Sequence, residues 1–335
     1  MYFDKKAKCI IININLLTFS VKKWDGGCTQ MLKYVGKRIL TSIVTIWAVI
    51  TIVFFLVRIM PGGPFEGEKI TAEMKEVLNE KYGLDKPVGE QYVIYMKGLL
   101  KGDFGQSMKY KGRQVIDTIK NGFPKSAQVG AVAIVASVVV GILLGVVAAL
   151  NADKWPDRIC MIIATLGITI PSFVIGSLLI FVFTVKLGVL GATGLSKPSN
   201  YIMPVIALSG SSMAFITRLT RNKLIDVLKS DYIRTAKAKG LSGGKVIFKH
   251  ALRNSLIPVV TYLGPLTAGV LTGSFVVEKI FAIAGLGNEF TLTITNRDYT
   301  ALLGVLAFYC TFIVICNLIV DLVYVLVDPR IKLEG

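Results

Sequence analysis

The sequence predicts an all-α integral membrane protein with six transmembrane helices and with both termini in the cytoplasm. Its 335 residues are 53% hydrophobic and only 18% charged, whereas soluble domains are about 45–50% apolar and about 25% charged. The apolar residues form long uncharged runs, and about 20 such residues in a helix cross a bilayer. Basic residues gather in short loops between alternate runs, as cytoplasmic loops require. A soluble globular domain is therefore excluded.

The formal net charge of +17 follows from this membrane topology. Its densest basic stretch lies between two predicted spans, and no basic domain stands apart from the spans, which argues against nucleic acid as a partner. The lipid bilayer is the expected partner instead. An odd number of cysteines without zinc spacing and a single histidine, His250, predict neither a disulfide framework nor a metal site.

The N-terminal residues 1–30 are interpreted as a leader or as a gene start placed too early. Lysines precede a short apolar stretch, 9–21, as in a signal peptide, but no clear cleavage site follows. Met31 is a second possible start. Residues 31–60 then form the cytoplasmic start and the first span, 39–60, which a Pro-Gly-Gly-Pro sequence ends.

Residues 61–128, here called the cap domain, are predicted to lie outside the membrane. Two stretches, 71–82 and 88–100, have the apolar spacing of amphipathic helices. Acids and lysines nearly balance in this domain, and polar segments this long do not follow the charge rule.

Residues 129–335 are predicted to form a five-helix core. Its spans are 129–150, 159–185 with a kink at Pro171, 201–216, 256–277 and 301–327. The segment 217–255, here called the coupling loop, holds ten Lys and Arg residues against two Asp. This excess places the coupling loop in the cytoplasm.

Within the coupling loop, residues 231–254 read DYIRTAKAKGLSGGKVIFKHALRN. This segment resembles the Glu-Ala-Ala…Gly coupling segment of ABC importer permeases, in the form found in the oligopeptide/dipeptide branch. Arg234 stands at the acid of the general pattern, Thr235 at its first alanine, and Leu252-Arg253 at its closing Leu-Pro. These departures resemble the permease of that branch that bears a large outer loop after span one. The resemblance assigns ATPase coupling to Asp231, Tyr232, Arg234, Thr235, Ala236, Ala238, Lys239, Gly240 and Leu241.

Further motifs extend the resemblance over residues 31–332. They are KGDFGQS at 101–107, PSF at 171–173, VEKIF at 277–281, GLG at 285–287, RDY at 297–299 and DPR at 328–330. Each motif is weak alone, and their order and spacing make the resemblance specific.

The resemblance implies a fold like that of type I ABC importer permeases, in a bacterial plasma membrane. A homologous second permease would complete the translocation path, two ABC ATPase subunits would dock on the cytoplasmic side, and an extracytoplasmic solute-binding lipoprotein would deliver the cargo. Peptides are the implied cargo, while nickel, glutathione or oligosaccharides are the alternatives. The chain itself would be a non-catalytic subunit.

The residues of the coupling loop support this role independently. A short helix is expected to end at Gly240, because a C′ residue adopts positive φ, and the small Ala236 and Ala238 would allow close docking on a partner. The segment from Gly240 to Lys245 is too short for a P-loop, and Val246 stands where Ser or Thr is needed. ATP and Mg²⁺ are therefore expected in partner subunits. The alternative is a solvated basic loop without a partner.

Helix-breaking residues in the fifth span are predicted to line the path, because irregular backbone in a membrane needs a cavity. They are Pro258, Gly264, Pro265, Gly269 and Gly273. Simple kinks are the alternative. Asp321 in the sixth span is either functional or paired with an inner-loop cation.

A self-sufficient secondary transporter is the rival class. It would need ionisable groups in the membrane and would be favoured by an inverted repeat. The spans offer only Asp321 and terminal arginines, and no repeat is visible. An enzyme lacks support because no nucleophile–base constellation is present.

Overall fold

The computed structural model describes residues 28–59, 62–66 and 70–327, and the regular secondary structure in these ranges is helical apart from one isolated bridge. An isolated antiparallel bridge between Gln106 and Gln114 is the sole β pairing in them. The expectation for a leader lies almost wholly outside the described residues. The α-helices in chain order are α1 (Cys28–Ile59), α2 (Ala72–Lys81), α3 (Val88–Leu100), α4 (Val115–Leu150), α5 (Trp155–Thr169), α6 (Ser172–Leu179), α7 (Ile202–Leu228), α8 (Asp231–Ala238), α9 (Gly243–Lys245), α10 (Leu252–Ser255), α11 (Ile257–Leu271), α12 (Phe275–Ile280), α13 (Leu286–Thr295) and α14 (Tyr299–Val327).

The described helices give four membrane spans, or up to six if bent pairs are counted. Four are single apolar stretches: Val35–Ile59, Val115–Leu150, Pro198–Leu228 and Tyr299–Asp321. Two more are bent pairs. Trp155–Thr169 meets Ser172–Lys186 at 105°, and Gly243–Ser255 meets Ile257–Leu271 at 46°. Counting each bent pair as one span gives the predicted number.

Prolines lie at both bends. Pro171 precedes α6, and Ile170 before it is extended, with ψ 121°, as the residue before a proline prefers. The predicted break at Pro171 is confirmed, and at 105° it is a sharp turn. Pro258 is the second residue of α11, where its missing N–H is tolerated and where it ends the preceding helix.

Two helices are longer than hydropathy predicts. α4 begins fourteen residues before position 129, and α7 continues twelve residues beyond position 216. The added turn of α4 packs on α13, where a β-carbon at Gly122 would lie 3.0 Å from the backbone of Leu286. The added turns of α7 bury Thr217 and Thr220. α4 therefore begins within the predicted cap domain, and α7 ends within the predicted coupling loop. Both extensions are helical because protein contacts cover these turns.

The α4–α7 pair forms the centre of the core. A β-carbon at Gly141 would lie 2.9 Å from Ile216, and one at Gly145 would lie 2.8 Å from the carbonyl oxygen of Thr217. Such distances are shorter than side chains permit, so only glycine allows this approach. The Gly141–Gly145 spacing therefore works as a small-xxx-small contact.

The cap domain rests on the outer ends of the first and last spans. α2 and α3 match the two predicted amphipathic helices, and the Thr71 hydroxyl accepts a hydrogen bond from the Met74 amide at 3.3 Å. On α3, Tyr92 and Tyr95 pack against Phe54 of α1, with ring centroids 5.4 and 5.7 Å apart.

A second attachment is the buried carboxylate of Asp298, immediately before α14. It accepts hydrogen bonds from the Ser107 hydroxyl and, at 3.1 Å, from the Met108 amide. It also accepts from the Ala301 amide at 3.2 Å. One side chain therefore caps α14 and holds the last loop of the cap domain.

Candidate ATPase-coupling site

α8, the helix predicted to couple to the ATPases, has well-defined ends. Ser230 before it is extended, with φ −71° and ψ 152°, and Asp231 places a carboxylate in the first turn, where it complements the helix dipole. Gly240 has φ 76°, and its amide donates to the Lys237 carbonyl at 3.0 Å. The predicted helix end at Gly240 is confirmed.

α8 has a buried face and an exposed face. Ile233 and Ala236, one turn apart, are buried in a cluster that also contains Ala149, Leu224, Val246 and Ala251. The other predicted coupling side chains, in the helix and just after it, are exposed. They are Asp231, Tyr232, Arg234, Thr235, Ala238, Lys239 and Leu241. α8 is therefore fixed to the core on one side and free to meet a partner on the other.

Ala236 requires a correction. Its small side chain was expected to face a partner, but only 9% of the residue is exposed, because it lies three residues after Ile233 on the same side of the helix. Ala238 and Thr235 are the small residues of the exposed face. Ala236 can support coupling only by seating α8 against its own chain.

Beneath α8, a buried ion pair joins two elements far apart in the sequence. Arg221 of α7 donates from Nε to Oδ1 of Asp157 at 2.6 Å and from Nη2 to Oδ2 at 2.5 Å. The Asp153 amide donates to the same carboxylate at 2.9 Å. The side chain of Asp157 is 4% exposed. The pair ties the turn between α4 and α5 to the cytoplasmic end of α7, from which α8 follows.

This pair was not predicted from the sequence, where Arg221 is one of ten cations in a basic loop. One signal was available: Asp157 is an acid at the start of an apolar span, and such an acid needs a partner.

The predicted path residues of α11 fall into two groups. Pro265 and Gly269 are exposed on this chain, and Pro258 is half-buried. Gly264 is buried, and a β-carbon there would overlap the Val320 side chain of α14. Gly273 has φ 80°, and a β-carbon there would overlap the Glu278 carboxylate. Packing within the chain explains these two glycines, and their lining of a path stays a prediction.

Glu278 is a buried carboxylate on the outer side, in α12. Its Oε2 accepts from the Asn288 amide at 2.9 Å, and Ser126 of α4 and the Gly287 amide also bond to it. Burial raises the pKa of Glu278 above its ordinary value, while these three hydrogen bonds lower it by less. Sequence analysis used this residue only as part of a motif. The structure shows that it fastens the start of α13 to α12 and α4.

Asp321 pairs with Arg38 at 3.1 Å, between the cytoplasmic ends of α14 and α1. This contact supports the structural alternative for Asp321, with a partner in the first span instead of the inner loop.

Up to six apolar helical spans, together with the family profiles and relatives that follow, assign the chain to the membrane permeases of ABC importers. Two family profiles match the chain: the binding-protein-dependent transport system inner membrane component over residues 141–333, and the N-terminal part of such a membrane component over residues 31–130. The chain belongs to this family, and it is a non-catalytic, multi-pass subunit of the bacterial plasma membrane.

Individual relatives agree with the family. The dipeptide transport system permease protein DppB of Bacillus subtilis (strain 168) is 46% identical over 305 residues, which are 91% of this chain and 99% of that protein. The oligopeptide transport system permease protein OppB of Haemophilus influenzae is 42% identical over 305 residues, 90% of this chain and 100% of that protein.

A solved structure supports the fold. An inward-facing MetNI methionine ABC transporter aligns with a TM-score of 0.54 at 17% identity, over 64% of this chain and 97% of the matched chain. The predicted fold class and the predicted family are both confirmed. Members of this family work with ATPase and solute-binding partners in general.

Proposed function

We propose that this chain forms one half of the translocation path of a peptide importer that is driven by ATP hydrolysis in partner subunits. Its similarity to permeases named for dipeptide and oligopeptide transport over about nine tenths of the chain supports peptide cargo. Nickel, glutathione and oligosaccharides remain the alternative cargoes. The proposed assembly contains a homologous second permease, two ABC ATPases that bind ATP and Mg²⁺, and a solute-binding lipoprotein.

The main support for the proposal is that α8 has one face buried against its own chain and the other face exposed. A solvated loop without a partner needs no ordered helix, yet α8 is anchored by Ile233 and Ala236 while Tyr232 stays 42% exposed. An exposed aromatic ring beside small and cationic residues suits a groove on a protein partner. We assign this exposed face to ATPase docking.

In this proposal, closure of the ATPase pair on ATP would draw the coupling helices of the two permeases together. The displacement would pass from α8 through Leu224 to α7, and from α7 to α4 through the contacts at Gly141 and Gly145. Nucleotide binding would thereby shift the population between inward-open and outward-open states.

The path would run between the two permeases, along the face of α11 that presents Pro265 and Gly269. Both residues are exposed on the isolated chain. Pro265 also leaves a backbone carbonyl of the preceding turn without its helical donor, and an aqueous path or a partner could satisfy it.

The two faces of α8 permit a matched test. Ala238→Trp adds bulk on the exposed face and Ala236→Trp adds the same bulk on the buried face, while Lys223→Trp is an exposed control on α7. We expect the stability of Ala238→Trp against unfolding to equal that of the wild type. The variant should nevertheless lose co-purification of the ATPases and ATP-driven uptake. Ala236→Trp should lower the stability of the permease itself, since overpacking costs about 1–3 kcal/mol. Full ATPase retention by Ala238→Trp would refute the assignment.

Uptake in reconstituted vesicles tests the energy source and the cargo. A labelled dipeptide should accumulate only with ATP, and a protonophore should leave the initial rate unchanged. Uptake driven by an ion gradient without ATPases would favour the rival secondary transporter. Competition by unlabelled peptides, but not by nickel, glutathione or oligosaccharides, would support peptide cargo.

A further inference from the structure

A cavity of about 500 Å³ lies where the cap domain meets the membrane spans. Its walls come from the outer ends of α1 and α14, from the end of α2 and the turn after it, from α3, and from the loop that contains Phe104 and Gly105. This volume is in the range of pockets that bind small molecules. The predicted coupling and path residues do not line it.

Among the described residues, three that line this cavity each have a buried polar atom without a hydrogen-bond partner. These atoms are Nε of Arg58, Oε1 of Gln91 and Oη of Tyr95. Buried polar groups are normally paired, and three exceptions among the residues of one cavity wall favour a ligand there. Such a ligand must offer acceptors to Arg58 and a donor to Gln91.

Three cations line the cavity: the exposed Lys81 and Lys86, and the half-buried Arg58. The Arg58 guanidinium lies 5.2 Å from the ring centroid of Phe54 and 6.0 Å from that of Tyr299. Among the described residues, no carboxylate pairs with it within 4.0 Å. The two acids of the cavity wall, Glu80 and Asp103, are exposed, and Asp103 accepts from the Gly105 amide at 2.8 Å. The depth of the cavity therefore favours an anionic group.

The position of the cavity favours a lipid over cargo as the source of that anion. Arg58 is one residue before Ile59, where the first apolar span ends, and a long cationic side chain at the end of a span reaches the headgroups. The outer turns of α1 present Ile52, Leu56 and Ile59 at 58%, 57% and 76% exposure, as acyl chains require. α1 packs mainly against α14, and α14 packs in turn against α11, so α14 separates the cavity from the proposed path.

We propose that this cavity binds the phosphodiester headgroup of a glycerophospholipid from the outer leaflet. Arg58 donates to the phosphate oxygens, a contact for which the planar guanidinium is well suited. Tyr95 donates a further hydrogen bond to an oxygen of the headgroup. Gln91 accepts from a hydroxyl or ammonium group, which phosphatidylglycerol and phosphatidylethanolamine possess and phosphatidylcholine lacks. The bound lipid would join the cap domain to α1 and α14.

Native mass spectrometry of the full chain in mild detergent tests the site by titration with each of these three lipids. The wild type should retain phosphatidylglycerol or phosphatidylethanolamine over phosphatidylcholine. Arg58→Gln should weaken this retention about tenfold or more, because a charge-assisted hydrogen bond is lost. Lys97→Gln removes an exposed charge from α3 outside the cavity and should have no effect.

A milder variant keeps the test valid if Arg58→Gln fails to fold. Tyr95→Phe removes only a hydroxyl that has no hydrogen-bond partner in the described part of the chain, and it should weaken retention severalfold without loss of stability. Equal lipid retention by wild type, Arg58→Gln and Tyr95→Phe would overturn the proposal. Displacement of the bound lipid by millimolar inorganic phosphate would overturn the lipid assignment in favour of a soluble anion.

Discussion

Replacement of Arg221 by alanine tests whether the base of the coupling site is held by the buried ion pair with Asp157. The substitution removes both hydrogen bonds that Arg221 donates to Asp157, at 2.6 and 2.5 Å. The carboxylate keeps the hydrogen bond from the Asp153 amide. Breaking a buried pair from one side costs about 3–5 kcal/mol. Because 20% of the Arg221 side chain is exposed, we expect about 3 kcal/mol.

The assay is unfolding in detergent micelles by titration with sodium dodecyl sulfate, followed by near-UV circular dichroism. Arg218→Ala is the matched control on the same helix. Arg218 makes a single 2.9 Å bond to the Thr165 hydroxyl, so its loss should cost at most about 1 kcal/mol. ATP-driven uptake should fall with Arg221→Ala and persist with Arg218→Ala.

The double variant Asp157→Asn/Arg221→Met separates the pair from its members. It removes both charges together, so it should recover most of the stability lost in Arg221→Ala. The reasoning is refuted if Arg221→Ala is as stable as Arg218→Ala, or if the double variant is no more stable than Arg221→Ala.

Three further predictions concern conformation, pH and topology. Gly240→Val should cost about 1–3 kcal/mol of backbone strain at φ 76° without any clash, since no atom lies within 4 Å of its β-carbon position; pull-down should show loss of the ATPases, and full retention would contradict the role of this turn. Burial raises the pKa of Glu278 in the folded protein above its ordinary 4.5. Its contribution to stability should therefore be fully present below pH 4.5 and be lost as pH rises through the higher folded pKa. The free energy of unfolding should fall with rising pH in this way in the wild type but not in Glu278→Gln. Cysteines introduced at Lys86 and Gly194 should react with impermeant reagents from outside and one at Gly243 only from inside; labelling of position 243 in intact cells would contradict the topology.

Features set by local chemistry were predictable from the sequence. The break at Pro171 follows from the missing amide and the steric demand of proline. The end of α8 follows from the tolerance of Gly240 for positive φ, and the number of spans follows from hydropathy. Each depends on residues close together in the chain.

Features set by tertiary contacts were not predictable in the same way. Asp157 and Arg221 are 64 positions apart, and nothing local links them. Hydropathy measures transfer into lipid, whereas the first part of α4 is covered by α13. The start of α4 predicted from hydropathy was therefore too late in the sequence. The orientation of Ala236 depended on which face of a short helix meets the core, and a helix of two turns offers too few residues to decide this.

The unbroken length of α4 has a mechanical consequence. Its 36 residues make a continuous helix about 54 Å long with Pro124 inside it, well beyond the roughly 30 Å of the hydrocarbon layer. One end touches α13 on the outer surface through Gly122, and the other leads into the turn that Arg221 holds. A tilt of about 5° at the inner end would displace the outer end by about 5 Å over this length. Small angular movements on the cytoplasmic side would thereby become larger displacements at the opposite surface.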